Sequence, residues 1–265
     1  MITLLIVIAI IVLLYVFVLL RPQRREIDRF CLRPYAHRGQ HDENLPENSL
    51  AAFRRAVENG YGIELDLQLS ADGEVMVMHD YNLKRMTGCD KMLKELTAAE
   101  LQKLHLNGTE ERIPTLKEVL GIVKGKVPLL IELKGESTDV SLCQKANEIL
   151  KDYGGKYIIE SFNPLMLNWY RKNRPDVVRG ILITNICHEK KHTPANFILS
   201  AMMLNVAARP NFISYDLRHR GYFSIWLSTR LFGVARFGWT VSSEEGMRIS
   251  KGENAYPIFE AVIPK

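Results

Sequence analysis

The chain is poor in cysteine and has none in metal-binding pairs. Cys31, Cys89, Cys143 and Cys187 lie far apart among 265 residues, with no Cys-x-x-Cys. That excludes a disulfide scaffold for a chain of this length and a zinc site built from thiolates. The spacing fits free thiols in a reducing compartment. A His-x-His pair, the mark of binuclear zinc barrel hydrolases, is also missing. So is a large excess of one charge. Lys and Arg number 35 against 30 Asp and Glu, a net +5 that is too mild for a nucleic-acid surface. No internal repeat or low-complexity stretch follows the N-terminal segment. A quarter of the residues are charged and aromatics are present, which excludes a disordered chain.

Charge is absent altogether from Met1–Leu20, where Thr3 is the one residue outside the hydrophobic set. Twenty helical residues rise about 30 Å, the thickness of a bilayer's hydrocarbon core. Arg21, Arg24, Arg25, Arg29 and Arg33 follow, opposed by Glu26 and Asp28. A cleaved signal peptide carries its basic residues in front and a small-residue site behind. Here the order is reversed and Phe17–Leu20 is bulky, so residues 1–20 read as an uncleaved transmembrane anchor. Residues 21–33 read as a basic juxtamembrane linker that clamps lipid head groups. The positive-inside rule then puts the domain behind it on the cytoplasmic side. Of the net +5, this linker holds +3 (five Arg less two acids), leaving +2 for the rest.

Residues 34–265 alternate short apolar runs with helical patterns. The runs are Tyr35–His37, Gly62–Leu69, Val75–His79, Val127–Leu133, Tyr157–Phe162, Gly180–Thr184, Phe212–Leu217, Phe237–Val241 and Ala255–Val262. Asn48 or Ser49, Thr97, Thr115 and Asn163-Pro164 offer helix starts. The pattern predicts a TIM-like (β/α)8 barrel, of the α/β class, which needs about 250 residues. Only Ser70–Glu74 separates the second and third runs, too little for a helical crossover. Either a helix is missing there, or the third run is not a barrel strand and Ala255–Val262 is the eighth. Residues 81–112 form a candidate insertion with its own helix.

Polar residues break the apolar strands in a pattern. Glu64 and Asp66 stand two apart, hence on one strand face, as do Glu132 and Lys134. Two other strands end in His37-Arg38 and His79-Asp80. Their apolar neighbours must pack on outer helices, so the charges point into the barrel, at the strand ends where barrel active sites collect. Internal salt bridges would account for one pair but not for three carboxylates, two cations and two imidazoles. An all-carboxylate set favours Mg²⁺ or Ca²⁺. Arg38 and Lys134 supply charge for a phosphate, and His37 and His79 can divide general acid and base roles. Together these read as metal-assisted phosphodiester cleavage.

The ordered motifs His37-Arg38-Gly39, Pro46-Glu47-Asn48-Ser49, Glu64-Leu65-Asp66, Asp72-Gly73, His79-Asp80, Ile113-Pro114-Thr115-Leu116, Glu132-Leu133-Lys134, Ser161-Phe162 and Trp239-Thr240-Val241 resemble those of the glycerophosphodiester phosphodiesterase family. The resemblance covers about residues 33–245. It implies hydrolysis of glycerophosphodiesters to sn-glycerol 3-phosphate and an alcohol, in phospholipid and glycerol metabolism. It implies His37 and His79 as the acid–base pair, and Glu64, Asp66 and Glu132 as ligands of one divalent cation. Arg38 and Lys134 would bind phosphate and Trp239 the glycerol moiety, a core tryptophan being nearly as good a reading. One route for such enzymes has the substrate's own glycerol hydroxyl attack phosphorus, giving a cyclic phosphate that water opens.

Two alternatives stand beside this one. A lysophospholipase D would use the same machinery on lysophospholipids at the membrane surface. A catalytically inactive, membrane-tethered binding module is disfavoured because every expected catalytic position is filled. Glycerophosphodiesters or lysophospholipids are the expected substrates, and membrane lipids are met through the anchor. Nucleic acid and protein partners are not expected. Glu47 reads as a cap residue more than a metal ligand, and His41, Asp42 and Arg218-His219-Arg220 as loop residues. The apolar stretches Ala195–Ala207 and Phe223–Phe232 read as barrel-covering helices, with a greasy face near the bilayer as the second option.

Overall fold

The computed structural model describes residues 1–135, 137–184 and 193–264; Cys187 lies outside them. Among the described residues nine strands form: β1 (Tyr35–Ala36), β2 (Gly62–Leu69), β3 (Val75–Val77), β4 (Leu129–Leu133), β5 (Tyr157–Ser161), β6 (Arg179–Ile183), β7 (Phe212–Asp216), β8 (Ala235–Val241) and β9 (Tyr256–Phe259). β1, β2 and β4–β9 pair in parallel, and β1 meets both β2 and β9. The sheet is therefore a closed eight-stranded TIM-like barrel. β3 is antiparallel to β2, with Val77 opposite Leu67, and lies outside the ring. The short Ser70–Glu74 connection dictates this, because it can make a hairpin but not a crossover. The final run, β9, supplies the eighth barrel strand.

Strand alternation divides the side chains. Leu65, Leu67, Ile131 and Leu133 face the surrounding helices and join the large outer core. Tyr35, Leu130, Ile158, Phe212, Phe237 and Ile258 plug the N-terminal end of the interior. Each such buried side chain contributes about 1.5–3 kcal/mol. Glycine makes room for the aromatic part of the plug. A Cβ on Gly62 would lie 2.7 Å from the Tyr35 ring, and one on Gly180 would run into Phe212.

The helix starts follow the local chemistry. Ser49 Oγ accepts from the Ala52 amide at 3.1 Å, and Thr115 and Glu118 cap each other reciprocally. Asn163 caps the helix that opens with Pro164. Met76 of β3 and Met78, Leu83, Met86, Leu101 and Ile113 from the segment between β3 and β4 build a second, smaller apolar cluster.

At the N-terminus the helix Ile2–Leu14 continues as a π-helical turn, Tyr15–Leu20. It is long and apolar enough to cross a membrane. No residue of Ile2–Leu14 is buried, but Val16 and Leu20 are, and the Tyr15 hydroxyl donates to Ala201 O at 2.9 Å. The basic segment behind it is not a free tether. Gln23 N donates to Pro210 O at 2.8 Å, and Arg179 Nη2 donates to Gln23 Oε1 at 2.9 Å. Asn211 Nδ2 donates to Gln23 O at 3.0 Å, Arg25 bonds Pro175 O, and Ile27 and Cys31 are buried. These partners flank the starts of β6 and β7, so the segment is strapped across the N-terminal end of the barrel.

Candidate active site

Glu64, Asp66 and Glu132 project inward from β2 and β4 because their strand neighbours point out. One oxygen from each lies within 4.8 Å of the others, and all three residues are buried. Register extends the row, with Asp66 paired to Glu132 and Glu132 to Glu160 of β5. Lys134 Nζ lies 3.4 Å from Asp66 and 3.2 Å from Glu132. Asn48 Nδ2 donates to the second Asp66 oxygen at 2.9 Å.

Arg38 follows β1 at a left-handed φ of 53°. That conformation turns its amide onto Glu64 Oε2 at 2.8 Å. Its side chain bonds Glu47 at 2.7 Å, while its Nε stands 3.7 Å from Asp66 without a hydrogen bond. Gly39 continues the turn at φ 82°, where a Cβ would press on Ala52 and Phe53 at 3.0 Å.

Each histidine is held through Nδ1 by a carboxylate: His37 by Glu260 and His79 by Asp80, both at 2.7 Å. That leaves Nε2 of each ring for proton traffic. Arg85 ties Asp80 to Glu47 at 2.6 Å each. Gln68 Nε2 donates to the carbonyls of Met78, His79 and Asp80, fixing the backbone that presents His79.

Burial dominates the acid–base state. It lowers His37 and His79 below the ordinary histidine value, against the upward pull of Glu260 and of Asp66 respectively. Burial, with Asp66 and Glu132 nearby, holds Glu64 well above the usual carboxylate range. It lifts Glu132 to about 7 against the opposing Lys134. Glu160 is raised in the same way. Asp66 is the exception: burial would raise it, but Lys134, His79 and Arg38 together hold it down. Four carboxylates (Glu64, Asp66, Glu132, Glu160) thus face two cations (Arg38, Lys134) in one buried cluster. A divalent cation bound there would stabilise the ionised forms that burial opposes. Its all-oxygen donors suit Mg²⁺ or Ca²⁺.

His37, Arg38, Glu64, His79, Glu132 and Trp239 line one cavity of about 90 Å³. Asp66 and Lys134 join it through the contacts above. The Trp239 indole N–H is buried without a hydrogen-bond partner among the described residues, and its ring meets Phe162 edge-on at 5.8 Å. Beside the cavity, a cleft of about 620 Å³ is bordered by His79, Tyr81, Lys84, Arg85 and Lys134. The eight residues singled out in the sequence therefore meet in one place. Asn48, Glu160 and Glu260 were missed. Asn48 read as a cap, Glu160 lies unremarked inside the apolar run Tyr157–Phe162, and Glu260 gave no local signal. Glu47 is a site residue through Arg38 and Arg85, whereas Arg218 pairs with Asp216.

The model of the glycerophosphoryl diester phosphodiesterase family matches residues 37–252. A glycerophosphodiester phosphodiesterase of Caldanaerobacter subterraneus is 36% identical over 80% of this chain and 86% of its own. A lysophospholipase D of Rattus norvegicus is 37% identical over 51% of this chain, which spans less than half (46%) of that protein. The crystal structure of a glycerophosphodiester phosphodiesterase from Thermotoga maritima superposes with a TM-score of 0.66, at 29% identity, over 89% of this chain and 95% of that one. A family match across most of the barrel, with a relative of this similarity and coverage, shows that the chain belongs to the glycerophosphoryl diester phosphodiesterase family.

Proposed function

We propose that this glycerophosphodiester phosphodiesterase uses one divalent cation, Mg²⁺ or Ca²⁺, held by Glu64, Asp66 and Glu132, to release sn-glycerol 3-phosphate and an alcohol. The observation that carries the reading is the convergence of three buried carboxylates, Glu64, Asp66 and Glu132, with one oxygen of each within 4.8 Å of the others. When bound, the ion supplies Lewis-acid polarisation of a phosphoryl oxygen.

The chain's own residues do the rest. Arg38 Nε, which has no hydrogen bond, and Lys134 meet the phosphate. Trp239 bounds the glycerol side of the cavity and offers its free indole N–H to a hydroxyl. His37 and His79 divide the proton transfers: one takes a proton from the glycerol hydroxyl as it attacks phosphorus and the other gives one to the leaving alcohol, after which the roles reverse as water opens the cyclic phosphate to sn-glycerol 3-phosphate. The low pKa of both rings keeps one able to accept near neutrality. The open cleft beside His79 receives the alcohol group.

The second reading is lysophospholipase D action. It is favoured by the apolar N-terminal helix and by the name of the rat relative. We place the domain on the cytoplasmic face of a membrane spanned by that helix, on the position of the arginines. A side-by-side assay with glycerophosphocholine and lysophosphatidylcholine tests the choice. Turnover of the water-soluble diester is expected, and its complete absence would reject the first reading.

A further inference from the structure

Two facts set the anchor's position. Tyr15–Leu20 is tied to the barrel through buried Val16 and Leu20 and the Tyr15 hydroxyl, and no residue of Ile2–Leu14 is buried. Thirteen helical residues span about 20 Å at about 1.5 Å each, against a hydrocarbon core of about 30 Å. The part ahead of the packed turn is too short to cross by itself, the more so because Ile11 and Leu14 already border the barrel.

The direction of the helix decides what makes up the difference. Leu20 O accepts from Asn205, near the starts of β6 and β7, whereas Ile11 and Leu14 adjoin Phe197, Tyr222 and Phe223. The helix Pro194–Ser200 follows the end of β6, and Phe223–Leu231 follows the end of β7. The anchor thus climbs the flank of the barrel from its N-terminal to its catalytic end and leaves beside the catalytic rim. That rim is apolar. Phe197, Phe223 and Trp226 are 58%, 61% and 50% exposed, with Ile198 beside them. Between the rim and the anchor lies an almost wholly apolar cleft of about 570 Å³. Barrel-covering helices turn such residues inward; here Ile225 is buried while Phe223 and Trp226 are not.

We infer that this rim is immersed in the bilayer, with lipid chains filling the cleft and the catalytic mouth at the membrane surface. Immersion lengthens the apolar path that the anchor needs and covers the exposed aromatics in one step. Depths of about 5–10 Å are ordinary for proteins held at an interface. The inference rests on the reading that Ile2–Leu20 spans a membrane.

The test uses the full chain in phosphatidylcholine vesicles. Cys89 and Cys187 are replaced by serine, and a fluorophore is attached at Phe223→Cys or at Lys126→Cys. Lys126 is exposed just ahead of β4, at the opposite end of the barrel. Spin-labelled lipid should quench the label at 223 several-fold more than the one at 126. Equal quenching in protein that resists carbonate extraction would overturn the immersion while leaving the anchor standing. Release by carbonate would overturn the anchor and the inference together. Retained turnover of glycerophosphocholine by both labelled chains shows that they are folded.

Discussion

His37 Nδ1 and Glu260 Oε2 stand 2.7 Å apart, joining residues 223 positions distant in the chain. β1 and β9 are neighbours in the closed barrel, and His37 N donates to Phe259 O at 2.9 Å. Barrel closure therefore brings the orienting carboxylate to the histidine. Burial lowers the His37 pKa and the Glu260 bond raises it. Glu260→Gln should move the His37-linked limb of the kcat/KM–pH profile to lower pH, whichever role the ring plays. It should also cut kcat by about 10- to 100-fold. An unmoved limb in a pH–rate series would reject the assignment.

Asn48 supports Asp66 in the same way. It is buried, adopts φ 55°, and gives its amide to Asp66 at 2.9 Å. Asn48→Gly tolerates that backbone and removes only the side chain. It should weaken cation affinity by about 10-fold or more, measured by calorimetric titration. Unchanged affinity would make Asn48 a structural residue only.

The parts that were legible in the sequence share a cause. Charges two apart in an otherwise apolar strand, as in Glu64-Leu65-Asp66 and Glu132-Leu133-Lys134, cannot face an outer core, so their direction follows from burial cost alone. The short Ser70–Glu74 turn likewise left β3 no place in a parallel ring. Glu160 has the same alternation but stands alone, and only register with Glu132 reveals it. Glu260 and the strapping of Gln23 beneath β6 and β7 depend on closure of the whole fold. No local pattern encodes them. The exposed aromatics were visible as an apolar stretch, but which side of the helix they occupy was not.

Burial holds Glu64 well above the carboxylate range and lifts Glu132 to about 7, so protons compete with an ion for these oxygens near neutrality. Cation binding must displace those protons. Affinity should therefore rise as the pH is raised from about 6 to about 8. Protons should be released, seen as a binding heat that depends on the buffer. Proton-free, pH-independent binding would contradict the ligand set.

The plug beneath the site is tightly packed. Gly62→Ala places a methyl group 2.7 Å from the ring of fully buried Tyr35. It should destabilise the protein by about 1–3 kcal/mol, the usual cost of overpacking. Thermal unfolding with and without the substitution measures this; an unchanged Tm would mean that Tyr35 has room to move.

The most direct test follows the products. The full-length enzyme is stripped with EDTA and dialysed, and glycerophosphocholine cleavage is followed by phosphorus NMR with Mg²⁺ or Ca²⁺ added back. The account predicts no turnover without an ion, recovery with it, and formation of sn-glycerol 3-phosphate, with Glu64→Gln requiring far more ion. Full activity after exhaustive chelation would contradict it.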